Sequence, residues 1–266
     1  MPSYENQGER TSSVFAGRGQ SHASRRIYGE SAELFASLIA QSLPHTDRQY
    51  VLADIGSFRG ELMGEVLRRL PQFRFRTIAV DINSEAMAEN QADRKIIADV
   101  VNTQLDDKAV DVTLCRYVLQ WNPPDKQRSI LRELDRISTR AVILQHFGSD
   151  GAEREHRKRI DDVLSGSKVP KLRREDYYIS SAEEIESWLD LQGMGFTRRA
   201  HAKLSNLSDS FVDRYNLAGA DSQRLKQVLG DYDYIVVTTW ILCPTRLDGF
   251  GHSSDEMTTK QVVSVG

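Results

Sequence analysis

Residues 51–60 read VLADIGSFRG, and a second apolar run, RTIAVD, closes on Asp81. The first run is short, apolar and rich in strand formers, and it ends on an acid, Asp54. Gly56 and Gly60 then punctuate a turn that leads straight into ELMGEVLRRL, where Leu62, Met63, Val66, Leu67 and Leu70 share one helical stripe. A strand, a glycine turn and a helix, followed by a strand with a terminal carboxylate, make one half of a nucleotide-type cofactor site.

The same alternation runs from Ser31 to about residue 150. SAELFASLIAQSL, from Ser31, sets Leu34, Phe35, Leu38 and Ile39 on one face and is stopped by Pro44. YVLADI is the first strand and FRTIAVD the second. Asn83 and Ser84 cap a short helix, EAMAEN. KIIAD and VDVTLC are the third and fourth strands. Pro123 and Pro124 open a helix, DKQRSILRELDRI, and AVILQHF is the fifth strand. Alternation of this kind predicts a parallel sheet with helices on both faces.

Past residue 150 the pattern changes. GAEREHRKRIDDVL predicts a charged, solvated helix. SSAEEIESWLDLQG predicts a helix capped by Ser180 or Ser181 and stopped by Gly193. GFTRRAHAKL reads as a strand, LSDSFVDRYNL and SQRLKQVLG as short helices, and DYIVVTTWILC as a final strand. The expected organisation is a flexible segment over 1–27, one domain over 28–243 with helical insertions near 151–192 and 205–230, and a flexible tail over 244–266.

Composition narrows the function classes. Of 266 residues, 39% are hydrophobic and 27% charged, as in a soluble globular protein. The net charge of -3 supplies no basic field for nucleic acid. MPSYENQGER lacks the apolar core of a signal peptide, and no run is apolar enough to span a membrane, so a cytoplasmic protein is expected. Cys115 and Cys243 sit in apolar runs and are expected to be buried. No metal-ligand spacing occurs, so no metal is expected.

A dinucleotide turn needs G-x-G-x-x-G, and here Gly56-Ser57-Phe58-Arg59-Gly60-Glu61 puts Phe58 at the middle glycine. Asp54 would also repel a pyrophosphate. Asp54-Ile55-Gly56-Ser57-Phe58-Arg59-Gly60, with the later acids Asp81 and Asp99, instead resembles the class I S-adenosylmethionine-dependent methyltransferases, well over about 30–150 and in outline over 181–243. The resemblance implies a Rossmann-like, doubly wound α/β sheet of seven strands, mostly parallel with an antiparallel last strand, plus helical cap insertions. It implies S-adenosyl-L-methionine as cofactor. Asp54, Gly56, Ser57, Phe58 and Gly60 would meet its amino acid and ribose parts. Asp81, with Ile82 beside it, would take the ribose hydroxyls, Asp99 and Val100 would lie at the adenine, and Arg116 and Tyr117 would lie along the methionine part. Each marker also has an ordinary reading: Asp54 as a helix cap, the glycines as plain turn residues, and Asp81 and Asp99 as strand-end acids.

Methyl transfer from a sulfonium is an in-line displacement, and a base is needed only where the acceptor is protonated. The acceptor belongs beyond the carboxyl ends of the strands. Tyr117 and His146 are therefore the catalytic candidates, the histidine as general base or as a structural residue. Tyr28, Gln120, Trp121, His146 and Tyr178 are candidates for the acceptor pocket, with Tyr28 just before the first helix as a lid or an anchor. Asn122-Pro123-Pro124 is similar to the Asn/Asp-Pro-Pro-aromatic motif of amino methyltransferases, but Asp125 stands in the aromatic place, so it reads as a helix start. The expected function is methylation of a small organic acceptor by a monomer or homodimer without nucleic-acid or membrane partners. The alternatives are methylation of protein or RNA, or a catalytically silent scaffold of the same fold. A nicotinamide oxidoreductase is disfavoured by Phe58 and Asp54.

Overall fold

The computed structural model describes residues 22–147, 178, 180–205, 223, 226–227 and 234–244. Its strands are β1 (Gln49–Ile55), β2 (Arg74–Asp81), β3 (Arg94–Ile97), β4 (Val110–Arg116), β5 (Ser138–Phe147), β6 (Gly195–Ser205) and β7 (Tyr234–Cys243). Its helices are α1 (His22–Ser42), α2 (Glu61–Arg68), α3 (Ser84–Glu89), α4 (Pro124–Ile137) and α5 (Ala182–Leu191). The strands form one sheet in the order β3-β2-β1-β4-β5-β7-β6. β1 to β5 pair in parallel, and β7 runs antiparallel to both β5 and β6. This is the mostly parallel, seven-stranded α/β sheet that the alternation and the resemblance imply. The strand order reverses between β1 and β4, and the acid ending β1 stands at that switch point.

Alternate strand residues feed two apolar layers. Phe35 and Ile39 of α1 and Met63 and Val66 of α2 pack on Leu52, Ala79, Leu114 and Ile143. Leu131 and Leu134 of α4 and Ile185 and Leu189 of α5 pack on the other face, against Ile55, Val80, Leu144 and Trp240. Strands buried on both faces need no polar alternation, which is why they read as continuous apolar runs. Local chemistry closes the helices. The Asn83 side chain accepts from Ala86 N at 2.9 Å, and Ser181 and Glu184 form a reciprocal capping box. Pro123 and Pro124 stand at the N-cap and first turn of α4, so Asn-Pro-Pro is a helix start.

Three expectations are corrected. α1 begins at His22 rather than Ser31, so Tyr28 lies inside it. Ala23, Arg25 and Arg26 are good helix formers, while the apolar periodicity starts only where the helix meets the sheet. β3 ends at Ile97, and Asp99 lies beyond it in a turn. There the Asp99 carboxylate accepts from Val101 N at 3.2 Å and its carbonyl from Asn102 N at 2.9 Å, a local competition that breaks the strand. Cys115 is buried but Cys243 is exposed. It ends β7 opposite Gly195, which has no side chain to cover it. The helices expected over 151–164 and across 205–230 lie outside the described residues, apart from helical Gln223, Lys226 and Gln227.

Candidate active site

Asp54 alternates with Ala53 and Ile55, so it faces the α1 layer together with Leu52. It is 2% exposed, and its Oδ2 has no hydrogen-bond partner. Burial, reinforced by the charge of Asp81 and opposed by Arg116, pushes its carboxyl up to about 7. It does not cap α2, whose N-cap is Gly60 with no side-chain cap bond. A buried carboxylate without a partner is costly, and a cation would relieve it.

The turn after β1 takes three left-handed residues: Gly56 (φ 76°), Phe58 (φ 50°) and Gly60 (φ 81°). Phe58 thus adopts the conformation a glycine usually supplies. Its amide donates to Asp81 Oδ2 at 2.9 Å, and Asn83 N donates to Oδ1 at 2.8 Å, so the acid ending β2 clamps the turn. Burial raises the Asp81 carboxyl, while these amides pull it down. A Cβ on Gly56 would lie 2.3 Å from Val118 Cγ2. Gly56→Ala is therefore expected to destabilise the protein by about 2 kcal/mol, from left-handed strain and overpacking. Chemical denaturation checks this, and an unchanged midpoint would contradict the tight turn.

Asn90, not anticipated from the sequence, donates to Ser57 Oγ at 2.9 Å and Phe58 O at 3.1 Å, locking the same turn from the end of α3. Ile82, beside Asp81, is 40% exposed. Asp99 lies farther along this edge, its Oδ2 paired with Lys126 Nζ at 2.9 Å, and Val100 packs against the α4-side core.

At the end of β4, Arg116 Nε donates to Gln145 Oε1 at 3.0 Å, and its guanidinium carbon lies 4.0 Å from the centre of the Tyr117 ring. Tyr117 is left-handed (φ 56°) and donates its amide to the Gln145 carbonyl at 2.9 Å. A 3-10 turn, Leu119–Trp121, then buries Gln120 and half-buries Trp121. The Gln120 carbonyl accepts from Tyr178 N at 2.8 Å, and the Tyr178 carbonyl from Gln127 Nε2 at 2.7 Å. Tyr178 itself is 41% exposed, so two distant predicted pocket residues meet through the backbone. His146 is fully buried and shares the opposite sheet face with Leu144, level with Thr238 of β7. Only the backbone of Tyr28 is described, within α1.

The structure thus gathers Asp54, the glycine turn and Asp81 into one cluster, within electrostatic reach of Arg116. Asp99 lies beyond the end of β3, paired with Lys126, and His146 is buried on the opposite sheet face. Among the described residues, no group of three or more His, Cys, Asp or Glu could hold a metal ion, and no helix is long and apolar enough to cross a membrane.

Residues 53–143, which span this cluster, match the family model described as a methyltransferase domain. Over these residues the chain carries a methyltransferase domain. No curated protein matches its sequence. In fold it is similar to a candidate sarcosine dimethylglycine methyltransferase from Galdieria sulphuraria, at 13% identity and a TM-score of 0.59 over 90% of this chain and 98% of that one. Geranyl diphosphate C-methyltransferase from Streptomyces coelicolor A3(2), solved with Mg2+, geranyl diphosphate and S-adenosyl-L-homocysteine, superposes at 0.54 and 12% identity over 80% of each chain. Magnesium protoporphyrin IX methyltransferase from Synechocystis PCC 6803, with bound S-adenosyl-L-homocysteine, superposes at 0.55 and 13% identity over 89% of this chain and 94% of that one.

Proposed function

We propose that the edge formed by β1, β2 and β4 holds S-adenosyl-L-methionine and that the chain methylates a small organic acceptor. The observation that carries this reading is Asp54, a buried carboxylate with an unpartnered oxygen at the switch point. Asp54 and Arg116 offer opposite charges to the amino acid end of the cofactor, which bears an ammonium and a carboxylate. The backbone of Gly56, Ser57, Phe58 and Gly60 lies along its middle. Asp81 takes the ribose hydroxyls, and Ile82, Asp99 and Val100 flank the adenine. When bound, the cofactor supplies an electrophilic methyl group on a sulfonium.

The chain's own work is alignment and exclusion of water. Tyr117, Gln120 and Trp121 from the loop after β4, and Tyr178 bonded to that loop through its amide, surround the acceptor, with Tyr28 on the α1 side. His146 receives a proton where the acceptor carries one. Neighbours that act on geranyl diphosphate and magnesium protoporphyrin IX support a small acceptor, as does the net charge of -3 against a nucleic acid. On this reading the working unit is the 28–243 domain, acting in the cytoplasm as a monomer or homodimer.

Isothermal calorimetry with S-adenosyl-L-homocysteine is expected to show saturable binding at one site per chain. Absence of both a binding heat and a thermal shift would reject the site. A screen of small acids, amines and phenols with the methyl donor then sorts oxygen, nitrogen and carbon acceptors, and turnover only on protein or RNA would reject the small acceptor.

A further inference from the structure

Gln145 interrupts the apolar strand AVILQHF and is 3% exposed. Burying an amide is costly unless both of its ends are satisfied. Here they are. Oε1 accepts from Ser31 Oγ of α1 at 2.9 Å and from Arg116 Nε of β4 at 3.0 Å, and Nε2 donates to Thr239 Oγ1 of β7 at 3.0 Å. The strand register explains the meeting. Asp54 is level with Leu114, Arg116 with Gln145, and Gln145 with Thr239. By strand alternation Asp54, Arg116, Gln145 and Thr239 all point to the α1 face, as a polar row across four adjacent strands.

We propose that Gln145 is a positioning residue for the methyl donor, setting the Arg116 guanidinium beside Asp54. This rests on the reading that Arg116 meets the cofactor's carboxylate. Arginine has donors only, so the amide must turn its oxygen to Arg116, and Thr239 holds it that way round. The Gln145 carbonyl also fixes the Tyr117 amide, on whose ring the guanidinium lies. A long, flexible arginine is thereby held in one orientation before the ligand arrives, which lowers the ordering cost of binding.

The test is a double-mutant cycle on the full chain, read by calorimetry with S-adenosyl-L-homocysteine, with KM and kcat for the methyl donor once an acceptor is known. Arg116→Met is expected to weaken binding on the order of 30-fold and Gln145→Met about 10-fold, the range for hydrogen bonds to a charged group. The double variant should bind no more weakly than Arg116→Met alone. KM for the donor should rise with kcat little changed. Thr239→Val, an isosteric change that releases only the amide's far end, should cost about 3-fold with Arg116 present and nothing without it. It carries the test if Gln145→Met does not fold.

Equal losses from Gln145→Met in both backgrounds would make the residue mere packing and overturn the proposal. So would an unchanged affinity in Gln145→Met while Arg116→Met loses it, with the cofactor reading intact. An Arg116→Met protein that binds like the wild type would overturn the carboxylate reading of Arg116 and the proposal with it.

Discussion

Asp54→Asn is expected to stabilise the ligand-free protein above pH 7 and to remove its affinity for the cofactor. In the folded chain the carboxyl is pushed from 3.8 up to about 7, mainly by burial. The unfolded chain therefore ionises first as pH rises, and the folded chain ionises only near 7. The contribution to stability is complete below about pH 4, is lost as pH rises through 7, and is absent above it. A shift of about three units corresponds to about 4 kcal/mol between these limits. Asparagine keeps the shape and never ionises, so its advantage over the wild type should be small near pH 4 and amount to a few kcal/mol at pH 8. Thermal unfolding of both proteins from pH 4 to 8 checks this, and a pH-independent difference would contradict the burial argument. An ammonium ligand requires the ionised form. Wild-type affinity for S-adenosyl-L-homocysteine should therefore fall as pH drops below 7, with proton release seen in buffers of different ionisation enthalpy. Asp54→Asn should lose this dependence together with at least about 100-fold in affinity, the usual cost of removing one partner of a buried charge pair.

Which parts of the site were legible follows from how far apart its partners lie in the chain. The runs ending at Asp54 and Asp81 declared themselves because strands buried on both faces are unbroken apolar stretches, and because a left-handed turn favours glycine at 56 and 60. Phe58 looked like a departure from the glycine pattern. The structure shows it in a left-handed conformation, held by a hydrogen bond from its amide to Asp81. Asp99 was visible as an acid, but its partner Lys126 is 27 residues away and the strand ends two residues earlier. Ser31 and Gln145 lie 114 residues apart, and no local pattern links them. The one signal was a glutamine, beside His146, that breaks the apolar run of β5. Asn90 carried none, since a polar residue after a short helix is what any helix end shows.

Asp81→Ala is expected to reduce cofactor affinity by about 100-fold or more. Each carboxylate oxygen already accepts one backbone amide, from Phe58 and from Asn83. A carboxylate offers about four lone-pair sites, so acceptor capacity remains for ribose hydroxyls beside the amides of Phe58, Asn83 and Ile82. Losing two hydrogen bonds to a charged group, at about 1.5–3 kcal/mol each, gives a loss of at least about 3 kcal/mol. The substitution also releases the clamp on the left-handed Phe58 turn, so part of the loss belongs to the turn rather than the ribose. The two parts separate with a ligand lacking the 2′-hydroxyl. Wild-type protein should bind 2′-deoxy-S-adenosylhomocysteine at least about 10-fold more weakly than the parent compound, and Asp81→Ala should bind both alike. Equal binding of the two ligands by the wild type would remove Asp81 from ribose recognition and leave it the clamp alone.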